Sequence, residues 1–419
     1  MPASNPFRRL TVISLTVLAV AATTACGGKG FSSTADGSSQ AAASGPVKLN
    51  VLIASSGDAE TKAVTDAAAA WAKASGNTVT VTPAQDIKQQ LGQGLAAGTP
   101  PDVFYVDAGA FADYASVGAL APYGDAVTDK DDFYPALRSS FTYQDKLYCL
   151  PKDFSTLALE INTDAWTKAG LGDADIPTTW EQLTTVATKL TTGKQVGLAI
   201  GDTRDRIGAF MVQAGGWITS PDSSAVTADS SQNAQAIDYV KSLLAAGVAK
   251  YPKALDSGWS GEAFGKQRAA MTIEGNWIRG AMKNDYASVK YIVVPLPVGP
   301  KGPGTLSFTQ CWGVAAKSPN QAAAIDLVKA LTAKDAQLGF AKSFGVMPSR
   351  QSAQAEYVAA FPDDKAFIEG AAYAQGPVNA PKINQVLTDF DTSLQGLPKA
   401  DTKTILTQLQ TNATAVIGK

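Results

Sequence analysis

Histidine is absent from all 419 residues. Ser-His-Asp and Cys-His catalysis both need an imidazole base, so both are excluded, as is any metal centre built on imidazole nitrogen. Charged residues make up only 17% of the chain and the net charge is −2. No basic face dominates, which argues against nucleic acid as the main partner, because phosphate recognition needs clustered Lys and Arg. A glycine-rich phosphate loop is missing too: Gly265-Lys266-Gln267 lacks the following Ser or Thr and the earlier glycine. No unit recurs at a fixed period of about 20–50 residues. The acidic residues Asp125, Asp129, Asp131 and Asp132 do not have the spacing of a calcium loop and read as a solvated face. No metal and no cofactor is expected.

What is present describes an exported globular chain. Hydrophobic residues make up 45%, and the length suffices for two domains. Arg8 and Arg9 precede an apolar run over residues 10–25, too short for a membrane span and typical of an export signal. The run Thr23-Thr24-Ala25-Cys26-Gly27-Gly28 resembles a bacterial lipoprotein cleavage site, with Thr23 standing where that pattern prefers an aliphatic residue. The resemblance implies acylation (palmitate-type chains) at Cys26 and anchoring to the outer face of the cell membrane. The other reading is cleavage near Ala25 with an incidental cysteine. Residues 26–46 are rich in Gly, Ser, Ala and Thr and read as a flexible tether.

Beyond the tether, alternating apolar residues predict strands over 48–54, 77–82 and 102–106. Helices at 60–73 and through Leu95 separate them. This β-α-β-α-β order predicts a parallel sheet. Further strands are expected at 156–161, 196–200, 269–273, 290–294 and 308–316, and helices at 178–190, 232–244, 383–394 and 403–416. Thr178 with Glu181, and Ser318 with Gln321, have the spacing of capping boxes. Trp71, Trp166 and Trp180 fall on inner helix faces and read as core.

The chain is organised around residues 259–297. A short helix at 262–267 leads to a strand at 269–273, then to the turn Glu274-Gly275-Asn276, where Trp277 begins a helix. A carboxylate, an amide and an indole thus meet at the carboxyl end of a strand, where α/β proteins bind ligands. This run, closing on a strand and Pro295-Leu296-Pro297, resembles the solute-binding proteins of ABC importers, in the oligosaccharide-binding group that includes the maltose-binding proteins. A second run, Tyr148 to Asp164, is similar to the first crossover between lobes in that family.

The resemblance implies a two-lobed α/β fold of the periplasmic-binding-protein type, each lobe a largely parallel sheet flanked by helices. Residues 47–153 and 294–343 would form lobe one, and 154–293 and 344–419 lobe two, hinged by crossovers near Phe154, Val293 and Phe344. It also implies capture of a sugar, delivery to ABC permease subunits, no enzymatic activity and a monomer. Cys149 and Cys311 would lie on strands near the crossovers. They read either as a disulfide, which an exported chain invites, or as two buried thiols.

A sugar presents apolar C–H faces that stack on aromatic rings and hydroxyls that pair with carboxylates and amides. Trp277 is the leading platform, followed by Trp312; Trp259 and Trp217 read more as packing. Asp107, directly after the third strand, and Asp153, at the first crossover, are candidate hydroxyl ligands. So are Glu274 and Asn276 at the turn, Ser55 and Glu60 at the first strand-helix turn, and Asp205 with its neighbour Arg206. Two other classes stay open. One is the same fold holding a polyamine, glycerol phosphate or iron; the other is a secreted glycan hydrolase using Glu274 with Asp107 or Asp153.

Overall fold

Period-two and helical patterns alternate from Lys48 onward, and the backbone follows them. In the computed structural model, which describes residues 45–418, strand Lys48–Ile53 pairs in parallel with both Thr78–Pro83 and Val103–Asp107. Helices Asp58–Ser75 and Ile87–Ala97 make the crossovers. The Val64, Ala68 and Trp71 face of the first helix is buried against this sheet.

The sheet has 10 strands. Its centre is a pair of long strands, Leu150–Asn162 and Thr305–Val314, which run antiparallel to each other. Gln310 to Val314 pair with Val103–Asp107 on one side. Leu157 to Ile161 pair with Ala269–Gly275 on the other, beyond which lie Val196–Ala199 and Ala249–Lys250. The two long strands therefore carry one sheet through two separate cores. The first core holds Leu49, Phe104, Phe111, Leu150, Trp312 and Leu327. The second holds Leu159, Leu183, Phe210, Ile237, Met271, Leu387 and Leu406. Leu296 and Leu306, which the resemblance puts in lobe one, pack in this second core.

Cys149 and Cys311 are joined by a disulfide with a Cα–Cα distance of 5.7 Å, fully buried in the first core. Both expected capping boxes differ in detail. Helix Trp180–Leu190 is capped one residue later, by Thr179 accepting from the Gln182 N–H, while the Thr178 hydroxyl donates to the Gln182 side chain. Helix Gln321–Leu331 starts at Asn320 with no side-chain cap, because the Ser318 hydroxyl is drawn 2.5 Å to Asp102. Helices Lys334–Phe344, Gln354–Ala360 and Lys365–Glu369 were not expected; Ala341, Tyr357, Phe367 and Ile368 join a third apolar cluster around Phe154 and Ile278, while Phe340 packs in the first core.

Asp125, Asp129 and Asp131 are exposed, as a solvated face requires, and with the half-buried Asp132 they are also ion-paired. Buried Arg350 holds Asp129 and Asp132 at 2.7 and 3.1 Å, Arg138 holds Asp131, and Lys130 holds Asp125. Among the described residues no group of three or more His, Cys, Asp or Glu could hold a metal ion, and no helix is long and apolar enough to cross a membrane. The export segment, Cys26 and most of the tether lie outside the described residues.

The disulfide spans a sequence separation of 162. Replacing Cys149 and Cys311 together by Ala should lower stability by about 2–5 kcal/mol, because the unfolded chain regains the closed loop's freedom. Urea midpoints of parent and variant, each under oxidising and reducing conditions, measure this. The parent should lose stability on reduction and the variant should not.

Candidate functional site

A cavity of about 180 Å³ opens where elements of the two cores face each other. Asp107, Ala108 and Gly109 line it from the first; Arg204, Asp205, Trp217 and Leu387 line it from the second. Leu306 to Thr309 of the long strand form its floor, and Gln375 to Val378 with Asn384 complete it.

Asp107 ends strand Val103–Asp107 and caps helix Ala108–Ser116, accepting the Gly109 N–H at 2.8 Å. Its carboxylate still opens to solvent, but the surrounding walls strip part of its hydration and raise it above the usual carboxylate range; the Gly109 N–H opposes this, and the like charge of Asp205 adds to it. Asp205 sits in the first turn of helix Arg204–Gln213 with its side chain 50% exposed. Arg204 neutralises the pair only in part: its Nε lies 3.9 Å from Asp205, while its Nη1 is bound by Asp391 and by the Leu387 carbonyl. The cleft therefore presents two carboxylates, with Arg204 and Lys88 as nearby cations.

Beside it lies the turn after strand Ala269–Gly275. Glu274 is 1% exposed; it accepts from Arg206 Nη2 at 2.5 Å and from Trp277 Nε1 at 2.9 Å. The Arg206 guanidinium lies 5.1 Å from the Trp277 ring centre and 5.9 Å from that of Phe308. Trp277 meets Phe308 edge-on, with centroids 5.2 Å apart. Phe308 faces the cleft, so Trp277, 38% exposed, extends its aromatic wall. Gly275 is required here, since a Cβ would fall 2.2 Å from the indole ring. The amide of Asn276 is occupied: its Nδ2 donates to the Gly345 carbonyl at 3.0 Å, and its backbone N–H to Ser155 Oγ.

Glu160 lies beneath this turn with no exposure at all. One carboxyl oxygen accepts the Glu274 N–H at 3.1 Å, and the other has no partner. Burial, reinforced by Glu274, pushes Glu160 well above the usual carboxylate range.

A second charged group is sealed off from the cleft. Lys152 donates to Glu60 at 3.0 Å and to Asp153, and its ammonium lies over the Tyr105 and Phe344 rings. Burial opposes the ammonium, but Asp153 and Glu60 outweigh it and hold Lys152 above its usual range. Glu60 also accepts from Ser56 and from the Tyr105 hydroxyl.

Of the nine candidate ligand residues, the cavity brings together Asp107 and Asp205. Trp277, Glu274 and Asn276 stand next to it, linked through Phe308, Arg206 and the turn. Glu60 and Asp153 are committed to Lys152, and Ser55 closes its own turn by bonding Gly57 and Thr61. Trp312 is 1% exposed and packs edge-on against Tyr105. Its strand lines the cleft only as far as Thr309 and is buried in the first core from Cys311 on, so Phe308 holds the wall position expected of Trp312. Phe308, Gln375 and Asn384 went unread, having no local motif; Trp217 lines the cavity although it read as packing.

A family described as bacterial extracellular solute-binding protein matches residues 41–369. The chain belongs to that family. Among curated relatives of this solute-binding protein is the diacetylchitobiose-binding protein DasA of Streptomyces coelicolor, 25% identical over 284 residues. That match covers 64% of this chain, and the chain spans 65% of the relative's length. The GacH receptor of Streptomyces glaucescens, solved unliganded and with acarbose, shares the fold at a TM-score of 0.75 and 22% identity, over 89% of this chain and 99% of that one. The cyclic α-maltosyl-1,6-maltose-binding protein of Arthrobacter globiformis gives 0.78 at 22% identity, covering 89% and 99%. The architecture is thus the two-lobed α/β fold of the maltose-binding-protein group.

Glu160→Gln should change the pH profile of stability. A carboxyl raised on folding contributes stability that is fully present below its unfolded value, near 4.5, and lost as pH rises through the folded value. The amide variant lacks that loss, so its stability relative to the parent should climb as pH rises above 4.5. Urea unfolding at stepped pH measures it; a pH-independent difference would show that Glu160 titrates normally.

Proposed function

We propose that this solute-binding protein captures a sugar, most readily an oligosaccharide, in the cleft lined by Asp107, Asp205 and Phe308, and delivers it intact to ABC permease subunits. The observation that carries this reading is the wall itself. The carboxylates of Asp107 and Asp205 and the amide of Gln375 share one cavity with the rings of Phe308 and Trp217, which matches the hydroxyls and C–H faces of a saccharide. Relatives whose names or ligands are saccharides, DasA and GacH among them, support the same class. The two cores support lobes that divide within the long strands, with 47–153 and 310–343 in one and the remainder in the other. A ligand gripped by both favours the closed form through contacts made only there.

No chemistry on the ligand is proposed. Glu274, which a glycosidase would need free, is buried and held by Arg206 and Trp277. One other solute class has an observation in its favour: with Arg204 shared between Asp391 and Asp205, the two cleft acids also suit a cation such as a polyamine. We propose further that the protein is a monomer anchored outside the cell by lipid at Cys26. Cys26→Ser should release it from the membrane fraction into the medium, as fractionation and blotting would report.

A thermal-shift screen of mono- to tetrasaccharides alongside polyamines separates the ligand classes. A true ligand at ~100 times its Kd adds roughly 2.7 kcal/mol of stability. Trp277→Ala should weaken saccharide binding about tenfold or more while the unliganded melting point stays within a few degrees. Unaltered affinity would remove Trp277 from the site.

A further inference from the structure

Elements belonging to the two cores touch again at the rim of the cleft. Asp113 lies on helix Ala108–Ser116, whose Phe111 and Ala115 are in the first core. Facing it, Asn384 begins helix Asn384–Gln395, whose Val386, Leu387 and Phe390 are in the second. One Asp113 carboxylate oxygen accepts the backbone N–H of Lys382 at 2.6 Å, and the other accepts Asn384 Nδ2 at 3.2 Å. A third contact runs alongside: Asn379 Nδ2 donates to the Thr142 carbonyl at 2.8 Å. Lys382 has a φ of 63°, in the left-handed region that a side chain other than glycine or asparagine enters at a cost. The chain bends against its preference to present that N–H.

The position of these contacts gives them a role. The same two helices flank the cleft, with Ala108 and Gly109 lining it from one and Asn384 and Leu387 from the other. Any motion that widens the cavity at this side must pull Asp113 away from Lys382. As it stands the cavity, about 180 Å³, is smaller than the roughly 300–1,000 Å³ usual for sites that enclose a sizeable ligand. A saccharide longer than about one ring therefore enters only when the helices part. Asp113 ties the two sides together at this rim.

We propose that Asp113 is a latch, a positioning residue that does not touch the solute but holds the two halves together once the cleft has closed, and so sets how long a solute stays bound. The proposal rests on the cleft being the solute site. Opening breaks the same contacts with or without ligand, so losing them must speed release. Affinity falls only to the extent that the ligand-free protein is already open.

The test uses the purified protein and two variants, Asp113→Ala and Asn379→Ala. Small-angle scattering of the ligand-free proteins reports opening. Stopped-flow tryptophan fluorescence, with the tightest saccharide of the thermal-shift panel, reports association and dissociation separately. Asp113→Ala should enlarge the ligand-free radius of gyration and speed dissociation roughly tenfold, the scale expected for hydrogen bonds to a charged group, with association unchanged or faster. Asn379→Ala should move both in the same direction by less, which keeps the test standing if Asp113→Ala folds poorly. Dissociation rates unchanged from the parent in both variants would overturn the latch, whether or not the ligand-free profiles expand. Expansion of the variants when no saccharide binds even the parent would support the latch and refute the sugar reading alone.

Discussion

The pairing of two long antiparallel strands, Leu150–Asn162 and Thr305–Val314, is the constraint on which the rest of the molecule depends. Each strand leaves one apolar core and enters the other. Neither can shift register without moving side chains of both cores to the wrong face. The cleft floor, Leu306 to Thr309, is the stretch of strand between the cores. Its position is therefore fixed by packing on either side rather than by the loops around it. The disulfide and the buried Lys152 group both sit towards the first-core end of this pair, and the Glu160 carboxyl and the Trp277 turn towards the second.

Charge is arranged accordingly. Away from the cavity, each buried cation is held by carboxylates: Lys152 by Glu60 and Asp153, Arg206 by Glu274, Arg350 by Asp129 and Asp132. Such groups add little net stability, since desolvation offsets most of the attraction, but removing one partner leaves an expensive buried charge. They fix geometry. Arg206 in particular ties Glu274 and the Trp277 ring into one rigid unit against Phe308. In the cavity the pairing is looser: Asp205 meets Arg204 at only 3.9 Å, and Arg204 is shared with Asp391.

How much of this could be read from the residues varied with how local the signal was. The first five elements followed directly from periodicity, and Asp107 from its place after a parallel strand. The Glu274–Trp277 turn was legible because strand, glycine and helix start are contiguous. Trp312 shows the limit: one strand changes surroundings along its length, so a tryptophan four residues beyond a cleft-facing phenylalanine lies in the core. Phe308 and Asn384 owe their place in the cleft to tertiary contacts that no window reveals. The caps at Thr179 and Asn320 moved because Gln182 and Asp102 competed for the neighbouring hydroxyls.

The interleaving of the cores also bears on how the chain is made. The first core needs Leu49 and Leu331 together, and the second needs Leu157 and Ala413. Each waits for a segment far along the chain from its first strand, so neither half can close on its early residues alone. Such non-local closure is slow. Folding is thereby a property of the nearly complete chain rather than of either half made separately.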